Sequence, residues 1–304
     1  MRLKFNVDTK LYFLIGDPMA HSCTGFVNNG MFEYLRENAV LVPITLPKGK
    51  LAEFVAAAKL LGAKGFYLTM PHKEDIVEYL DECDDLSRAF HSVNHVKILD
   101  NKLIGIGLDG MGMGLTVEKA VGNLAGKRVL LLGAGAVAGA IAADLCKREV
   151  GDITIANRTV SKAENIAQKL HSFFPNVATQ TGPLDDAFLI KAASDRDIVV
   201  QSTSLGINAP GHENFTALAF MDKLPKHCFA ADVLYPNSSF LQRAKELGLK
   251  NENGIKMTIY QQKEIMKFQF NVDVPDDALV DAEENFRISV AIRDFRFERL
   301  AGKV

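Results

Sequence analysis

The sequence contains no tryptophan, only four cysteines and no long block of like charge. The cysteines, at positions 23, 83, 146 and 228, show no C-x-x-C spacing, so we expect reduced thiols and no structural zinc. The 35 basic and 37 acidic residues leave a net charge of -2, which offers no polycationic field for nucleic acid. These absences favour a small-molecule partner.

We also expect neither a membrane segment nor a secretion signal. The uncharged run 129–143 contains three glycines and is too short to cross a bilayer. The first residues, Met-Arg-Leu-Lys-Phe-Asn, lack the long apolar stretch of a secretion signal. We therefore expect a cytoplasmic protein without a membrane partner, either a monomer or a homodimer.

The chain has 304 residues, of which 48% are hydrophobic, and this length favours two domains. Between positions 10 and 108, short β-rich runs alternate with helical stretches. The predicted strands are 11–15, 41–45, 65–70, 95–99 and 103–106, and the predicted helices are 25–37, 48–61 and 74–80. Asp100-Asn101 predicts a hairpin between the last two strands, and hence a mixed sheet.

A second β-α series follows and predicts a doubly wound, Rossmann-like sheet. Its strands are expected at 129–132, 153–156, 198–201 and 229–233, with helices at 137–147, 161–173 and 184–193. Three more helices are expected at 239–247, 257–270 and 276–300, and the last two should return to the first domain. The predicted fold class is α/β, with a first domain of residues 1–110 joined by 250–304 and a second domain of 111–249.

The most informative motif follows the strand 129–132 and reads Gly133-Ala134-Gly135-Ala136-Val137-Ala138. A strand, a glycine turn and a helix in this order predict a site where backbone N–H groups bind the pyrophosphate of a dinucleotide. The next strand ends at Asn157, where many such folds carry an acidic residue that binds the ribose hydroxyls. Uncharged Asn157 beside Arg158 favours a 2′-phosphate, so we predict NADP as the cofactor rather than NAD.

Polar residues outside this block follow the ends of predicted strands. Ser22 and Thr24 come after the first strand, and Thr69 and Lys73 come after the strand 65–70. Asn94 and Asp109 flank the predicted hairpin. Helix capping explains Ser22 or Thr24 equally well, and Asn94 and Asp109 are common turn residues. Lys73 alone would usually be a solvated surface residue.

Taken together, these segments resemble the shikimate and quinate dehydrogenase family over almost the whole chain. The family's His-Ser-x-Ser turn, Asn-x-Thr-x-Pro-His-Lys segment and Val-Asn-Thr segment all have counterparts in order. The matched segments are His21-Ser22-Cys23-Thr24, Tyr67-Leu68-Thr69-Met70-Pro71-His72-Lys73, Val93-Asn94-His95, Gly107-Leu108-Asp109-Gly110, Asn157-Arg158-Thr159, Asp232-Val233-Leu234-Tyr235 and Gly254-Ile255-Lys256-Met257 with Gln261.

The resemblance implies a reversible transfer of hydride between NADP(H) and the ring of a 3-dehydro acid, as in reduction of 3-dehydroshikimate to shikimate or of dehydroquinate to quinate. It assigns proton transfer to Lys73 and the orientation of Lys73 to Asp109. It assigns the remaining residues to two groups of ligands. Substrate contacts would come from Ser22, Thr24, Tyr67, Thr69, Asn94, Tyr235 and Gln261, and cofactor contacts from the glycine motif, Asn157, Arg158, Thr159, Lys162, Thr203, Gly254 and Met257.

Three departures from the family pattern leave the substrate open. Thr24 stands where many shikimate enzymes have serine, and threonine there is associated in the family with use of quinate as well as shikimate. Tyr67 and Gly107 each replace an asparagine, and Tyr67 either narrows the substrate pocket or fills space. The alternatives are a dehydrogenase of a different cyclohexane carboxylate, a weakly catalytic NADP-responsive binding protein, and a two-domain NADP enzyme acting on folates or aminoacyl esters.

Overall fold

The computed structural model describes residues 5–19, 22–206, 213–235 and 238–300. The chain divides into two compact units. The first comprises the residues up to Leu108 together with those from Gln261 onward, and the second comprises Asp109–Tyr260. In the described part of the chain, no helix combines the length and the apolar character needed to span a membrane.

The first unit contains a six-stranded mixed sheet in the order β2-β1-β3-β5-β6-β4. Its elements, in chain order, are β1 (Lys10–Gly16), α1 (Thr24–Tyr34), β2 (Ala39–Thr45), α2 (Leu51–Leu60), β3 (Gly65–Leu68), α3 (His72–Asp75), β4 (Glu82–Cys83), α4 (Asp85–Ala89), β5 (His95–Leu99) and β6 (Lys102–Ile106). A 3₁₀ turn follows α3 at Ile76–Tyr79. Strands β1, β2 and β3 run parallel, whereas β5 runs antiparallel to both β3 and β6.

The hairpin between β5 and β6 confirms the predicted turn. Asp100 and Asn101 have φ values of 49° and 63°, so both adopt the left-handed conformation that a two-residue hairpin of this type requires. Asparagine and aspartate accept this conformation more readily than other residues with a side chain. The turn makes the first sheet mixed, as predicted. It also places the start of β5, which follows Asn94, beside the end of β6, which precedes Asp109.

The second unit contains a parallel sheet in the order β12-β11-β10-β7-β8-β9. Its elements, in chain order, are α5 (Asp109–Val121), β7 (Arg128–Leu132), α6 (Ala136–Lys147), β8 (Asp152–Asn157), α7 (Val160–Phe173), β9 (Ala178–Pro183), α8 (Asp186–Ala193), β10 (Ile198–Gln201), β11 (Phe229–Asp232), α9 (Ser239–Glu246) and β12 (Asn251–Glu252), with a 3₁₀ turn at Ala219–Lys223. Both β10 and the part of β7 after Arg128 are completely buried. Their sequences are accordingly apolar, except for Gln201 at the end of β10.

This strand order is that of a doubly wound Rossmann fold and confirms the predicted class. The chain proceeds outward from β7 through β8 to β9, and then returns to β10 on the other side of β7. The loops that follow β7 and β10 consequently diverge, which creates the crevice at the carboxyl ends of the strands where such folds bind their ligands. The glycine motif follows β7 at this position.

Two long helices complete the chain, α10 (Gly254–Phe270) and α11 (Asp276–Leu300). Residues from Gln261 onward belong to the first unit, where α11 packs against α1. The α11 residues that pack inward, Phe286, Ser289, Val290 and Arg293, recur at the three- and four-residue spacing of one helix face.

Candidate functional site

The glycine turn after β7 is shaped to approach a ligand closely. Gly133 has a φ of 114°, which disfavours any residue with a Cβ, and its N–H donates to the carbonyl of Ala156 at 2.8 Å. Gly135 precedes α6, and a Cβ built there would meet no atom within 4 Å. No side chain caps the first turn of α6. The turn therefore leaves both room and backbone donors for a phosphate.

The segment after β8 carries exposed cations. Asn157 ends the strand, and its Nδ2 donates to the carbonyl of Thr159 at 2.9 Å. Arg158, Thr159 and Lys162 are exposed, and neither Arg158 nor Lys162 forms an ion pair with another described residue. Both cations are therefore available for an anion beyond the strand end.

A hydrogen-bonded network links the loops after β10 and β11. The fully buried Asp232 accepts hydrogen bonds from the Leu234 N–H at 2.9 Å and from Gln201 Nε2 at 3.4 Å. Gln201 Oε1 in turn accepts from the Thr203 N–H. Burial raises the pKa of Asp232 to about 7, although its hydrogen bonds favour the ionised form.

The predicted substrate residue Tyr235 and the predicted cofactor residues Gly254 and Met257 lie near this network. Tyr235 is half-buried and lies three residues after the end of β11. Gly254 begins α10, and its N–H donates to the carbonyl of Leu234 at 2.9 Å. A Cβ at Gly254 would lie 2.1 Å from the carbonyl oxygen of Val233, so only glycine permits this contact. Met257 is buried one turn further along the helix.

In the first unit, Thr69 and Lys73 follow β3 at its carboxyl end. The Thr69 N–H donates to the carbonyl of Ile15 at 2.9 Å, and its carbonyl accepts from the His72 N–H at 3.1 Å. The carbonyl of Lys73 accepts from the Val93 N–H at 3.2 Å. Backbone hydrogen bonds thus bring the Lys73 segment beside the segment that carries Asn94.

The side chain of Asn94 is buried and joins three segments. Its Oδ1 accepts from the Leu108 N–H at 2.9 Å, and its Nδ2 donates to Gln261 Oε1 at 3.1 Å. His95 Nδ1 lies 2.8 Å from the same Oδ1. Because a backbone N–H must donate to an oxygen, the amide orientation is fixed, and His95 must carry its proton on Nδ1. Asn94 therefore does not only occupy a turn, which is the role that its sequence context suggests. Its side chain also links three segments of the first unit.

Tyr67 is directly paired with His95 across β3 and β5, and the two ring centroids lie 4.6 Å apart. The Tyr67 side chain is 1% exposed, and its buried hydroxyl has no hydrogen-bond partner among the described residues. Burial raises the pKa of this hydroxyl well above its usual value. The structure thus packs Tyr67 into the core beside Tyr12 and His95.

Ser22 and Thr24 lie at the start of α1, and His21 lies outside the described residues. The alternative that Ser22 or Thr24 caps this helix is wrong, because the N-cap is Cys23 and no side-chain capping bond forms. Ser22 lines a cavity of about 340 Å³ together with Arg293 and Arg296. Arg293 is paired with Asp294, so Arg296 is the guanidinium group at this cavity that suits a carboxylate ligand.

Two residues beside the predicted site were not identified from the sequence. His95 was included only as part of a motif, although it contacts both Asn94 and Tyr67. Arg293 is 8% exposed and pairs with Asp294 at 2.7 Å. An arginine on the inward-facing stripe of α11, whose other members are mostly apolar, is the sequence signal that could have identified it.

The two catalytic candidates belong to different units. Lys73 is half-buried in α3 of the first unit. Asp109 is the first residue of α5 in the second unit, where it is 6% exposed. Gln261, Asn94 and the Lys73 segment are brought together within the first unit, and Thr203, Tyr235 and Gly254 are brought together within the second.

Comparison with known proteins matches this architecture. Two family models cover most of the chain, the shikimate dehydrogenase substrate binding domain at residues 14–96 and shikimate / quinate 5-dehydrogenase at residues 116–237. The chain is 36% identical to a shikimate dehydrogenase (NADP(+)) of Methanococcus aeolicus over 84% of this chain and 90% of that protein.

Solved structures agree with the sequence matches. A shikimate dehydrogenase in complex with NADP+ superimposes with a TM-score of 0.81 at 30% identity, covering 93% of this chain and 97% of that one. A ligand-free 5-ketofructose reductase of a Gluconobacter strain has a TM-score of 0.78 at 28% identity, covering 92% of this chain and 99% of that one. The present chain therefore belongs to the shikimate/quinate 5-dehydrogenase family.

Proposed function

We propose that this oxidoreductase interconverts a ring hydroxyl and a ring ketone on a cyclohexane carboxylate, with NADP(H) as the cofactor. The reactions proposed are reduction of 3-dehydroshikimate to shikimate and of dehydroquinate to quinate. The observation that carries the proposal is the hydrogen bond between Asn94 and Gln261, because two linked amides offer both donors and acceptors to a polyhydroxylated ring. Thr69 would add a hydroxyl contact at the adjacent strand end.

The cofactor fits the residues that the second unit provides. Gly133, Gly135 and the uncapped start of α6 would hold the pyrophosphate, since a Cβ at Gly135 would meet nothing and the turn exposes backbone donors. Arg158 and Lys162, with Asn157 and Thr159, would hold the 2′-phosphate. Thr203, Gly254 and Met257 would contact the nicotinamide end, and Tyr235 would lie beside it. When bound, the nicotinamide ring supplies or accepts the hydride.

Lys73 would protonate the oxygen that becomes negative when the ketone is reduced. An ammonium group can both donate this proton and stabilise the developing charge. Asp109 would orient Lys73 and accept a hydrogen bond from the substrate hydroxyl.

The hydroxyls of Ser22 and Thr24 would bind the substrate carboxylate. Arg296 lines the cavity that Ser22 borders, so its guanidinium group would add positive charge at this end, whereas that of Arg293 is paired with Asp294. Thr24 keeps the hydroxyl of a serine but adds a methyl group, which would shift the bound carboxylate. The family resemblance associates threonine at this position with use of quinate as well as shikimate.

A second candidate is a reductase of a different small polyhydroxy ketone. The 5-ketofructose reductase that shares this fold shows that related chains are named for other substrates. Tyr67 in place of asparagine supports this candidate, because the substitution replaces an amide of the family motif with a ring that packs into the core. A weakly catalytic NADP-responsive binding protein would bind NADPH yet oxidise none of these compounds.

Replacing Lys73 with alanine should reduce turnover by about 10² to 10⁴, because the substitution removes the proton donor. NADPH affinity should stay unchanged, which fluorescence titration would check alongside initial rates. Lys64→Ala, at an exposed position of the same unit, is the matched control and should retain full activity. Near-normal turnover of the Lys73→Ala variant would contradict the catalytic role.

Arg158→Ala should weaken NADP binding by about 10- to 100-fold, because a hydrogen bond to a charged group contributes about 1.5–3 kcal/mol. NAD binding should change little, since NAD lacks the 2′-phosphate. Isothermal titration with both cofactors measures the difference, and Lys191→Ala on the exposed surface of α8 serves as the control. Equal losses for NADP and NAD would show that Arg158 does not read the phosphate.

Tyr67→Phe distinguishes a packing role from a substrate contact. If the hydroxyl only fills the core, its removal should raise the free energy of unfolding by about 1 kcal/mol, because an unpaired buried donor is costly. The substrate KM should then stay the same. Urea denaturation and steady-state rates test both points, with Tyr79→Phe at a 40% exposed position as the control. A raised KM without added stability would instead identify Tyr67 as a substrate ligand.

A further inference from the structure

A buried carboxylate that has no role in the proposed chemistry lies at the end of β11. Asp232 is 0% exposed and faces donors from three different points of the chain. Oδ1 accepts from the Leu234 N–H at 2.9 Å and from Gln201 Nε2 at 3.4 Å, and Oδ2 accepts from the Ser238 hydroxyl. Burying a carboxylate costs considerable desolvation free energy, even when both of its oxygens accept hydrogen bonds. The presence of Asp232 in the core therefore calls for an explanation.

Gln201 extends this network into the loop after β10. It pairs directly with Asp232 in the parallel ladder between β10 and β11. Its Oε1 accepts from the Thr203 N–H, and its Nε2 also donates to the carbonyl of Leu205 at 3.2 Å. The Thr203 hydroxyl then accepts from the Leu205 N–H at 3.1 Å. The conformation of the Thr203 loop is thus tied to the carboxylate through one amide side chain.

The same carboxylate holds the segment after β11. Its bond to the Leu234 N–H fixes the residue directly before Tyr235, and the Leu234 carbonyl accepts from the Gly254 N–H at 2.9 Å. Ser238 connects it to α9, because the Ser238 Oγ also accepts from the Leu241 N–H at 3.2 Å as the helix N-cap. The loop of Thr203, the segment before Tyr235 and the turn at Gly254 are therefore all linked to one buried carboxylate.

We infer that Asp232 is a positioning residue for the nicotinamide end of the cofactor site. Its ionised carboxylate fixes the loops of Thr203 and Tyr235 and the turn at Gly254 in the conformation that binds NADP(H). It touches neither cofactor nor substrate, and it acts through Gln201 and the Leu234 backbone. The inference rests on the proposed function, because it requires NADP(H) to bind in the second unit.

The ionisation of Asp232 falls within the neutral pH range. Burial raises its pKa to about 7, and the bonds from Ser238, Leu234 and Gln201 act in the opposite direction. The carboxylate accepts every one of these bonds when it is ionised. Protonation below about pH 7 converts one oxygen into a donor, so one of the three bonds must weaken or rearrange.

The pKa shift of Asp232 arises from burial and from its three hydrogen bonds, and no charged group among the described residues is a cause of it. On β12, Glu252 accepts from the Asn253 N–H at 3.0 Å. The remaining titratable side chains lie on α9 and α5, the helices that pack on β11. They are Arg243, Lys245, Glu246, Asp109, Glu118 and Lys119.

The test compares Asp232→Asn with the unmodified protein in NADPH titrations from about pH 6 to about pH 8. Asparagine keeps the shape but cannot ionise, so the ratio of its Kd to that of the unmodified protein should be near one at pH 6. The ratio should rise to about five- to tenfold at pH 8, where only the native carboxylate is charged. Ionisation of the cofactor phosphate affects both proteins equally and cancels in the ratio.

Binding of 2′,5′-ADP is the internal control, because this ligand contains only the adenine end of NADP. Its Kd should be the same for both proteins at every pH. Ser238→Ala is a second variant that removes one hydrogen bond to the carboxylate, and it should weaken NADPH binding at pH 8 while leaving 2′,5′-ADP binding unchanged.

Three outcomes would overturn the inference. A Kd ratio that stays at one across the pH range would show that the ionised group is not required. An equal change for 2′,5′-ADP would reveal a general effect on the second unit, and a change in thermal stability alone would indicate a purely structural role. If the unmodified protein fails to bind NADPH at all, the proposed function fails instead, which this design separates from the positioning claim.

Discussion

The side chain of Asn94 joins segments of the first unit that are far apart in sequence. Its carboxamide accepts from the backbone at Leu108 and donates to Gln261 in the returning helix α10. A buried amide left without these partners would carry a large desolvation cost, so the fold must keep the three segments together. Asn94 thus links the hairpin and the strand ends to α10, which is also bonded to β5 through Lys97 and Gln269. The proposed substrate contacts depend on this arrangement.

The second unit applies the same principle with a different group. Its parallel sheet brings the ends of β10 and β11 to one edge, and Asp232 links the loops that leave them. The glycine turn after β7 supplies a close backbone approach at that edge, since Gly133 adopts a left-handed φ. Regular secondary structure thus sets the position of the loops, and a few buried polar groups set their conformation.

Much of this fold is predictable because its sequence patterns are strong. Continuous apolar runs identify β7 and β10, and Asp100-Asn101 identifies the hairpin. The strand β9 was missed, because its sequence Ala-Thr-Gln-Thr-Gly-Pro is polar and it lies exposed at the sheet edge. The helix α5 was missed as well, since its three glycines weaken a helical pattern.

The candidate site was less accessible to sequence reasoning. Motifs indicated Asn94 and Gln261 separately, but their contact spans 167 positions and depends on how α10 returns to the first unit. Whether Tyr67 faces a ligand or the core is likewise a matter of packing, and the structure places its ring against Tyr12 and His95. Side-chain partners across distant segments follow from tertiary packing, which local patterns do not encode.

The most direct measurement is the initial rate of the purified protein on shikimate and on quinate, each with NADP and with NAD. The account predicts oxidation of at least one of the two acids, with kcat/KM at least about tenfold higher for NADP than for NAD, as one charge-assisted hydrogen bond to the 2′-phosphate would give. Failure to oxidise either acid, in a protein that binds NADPH tightly, would contradict the assignment of a cyclohexane carboxylate substrate.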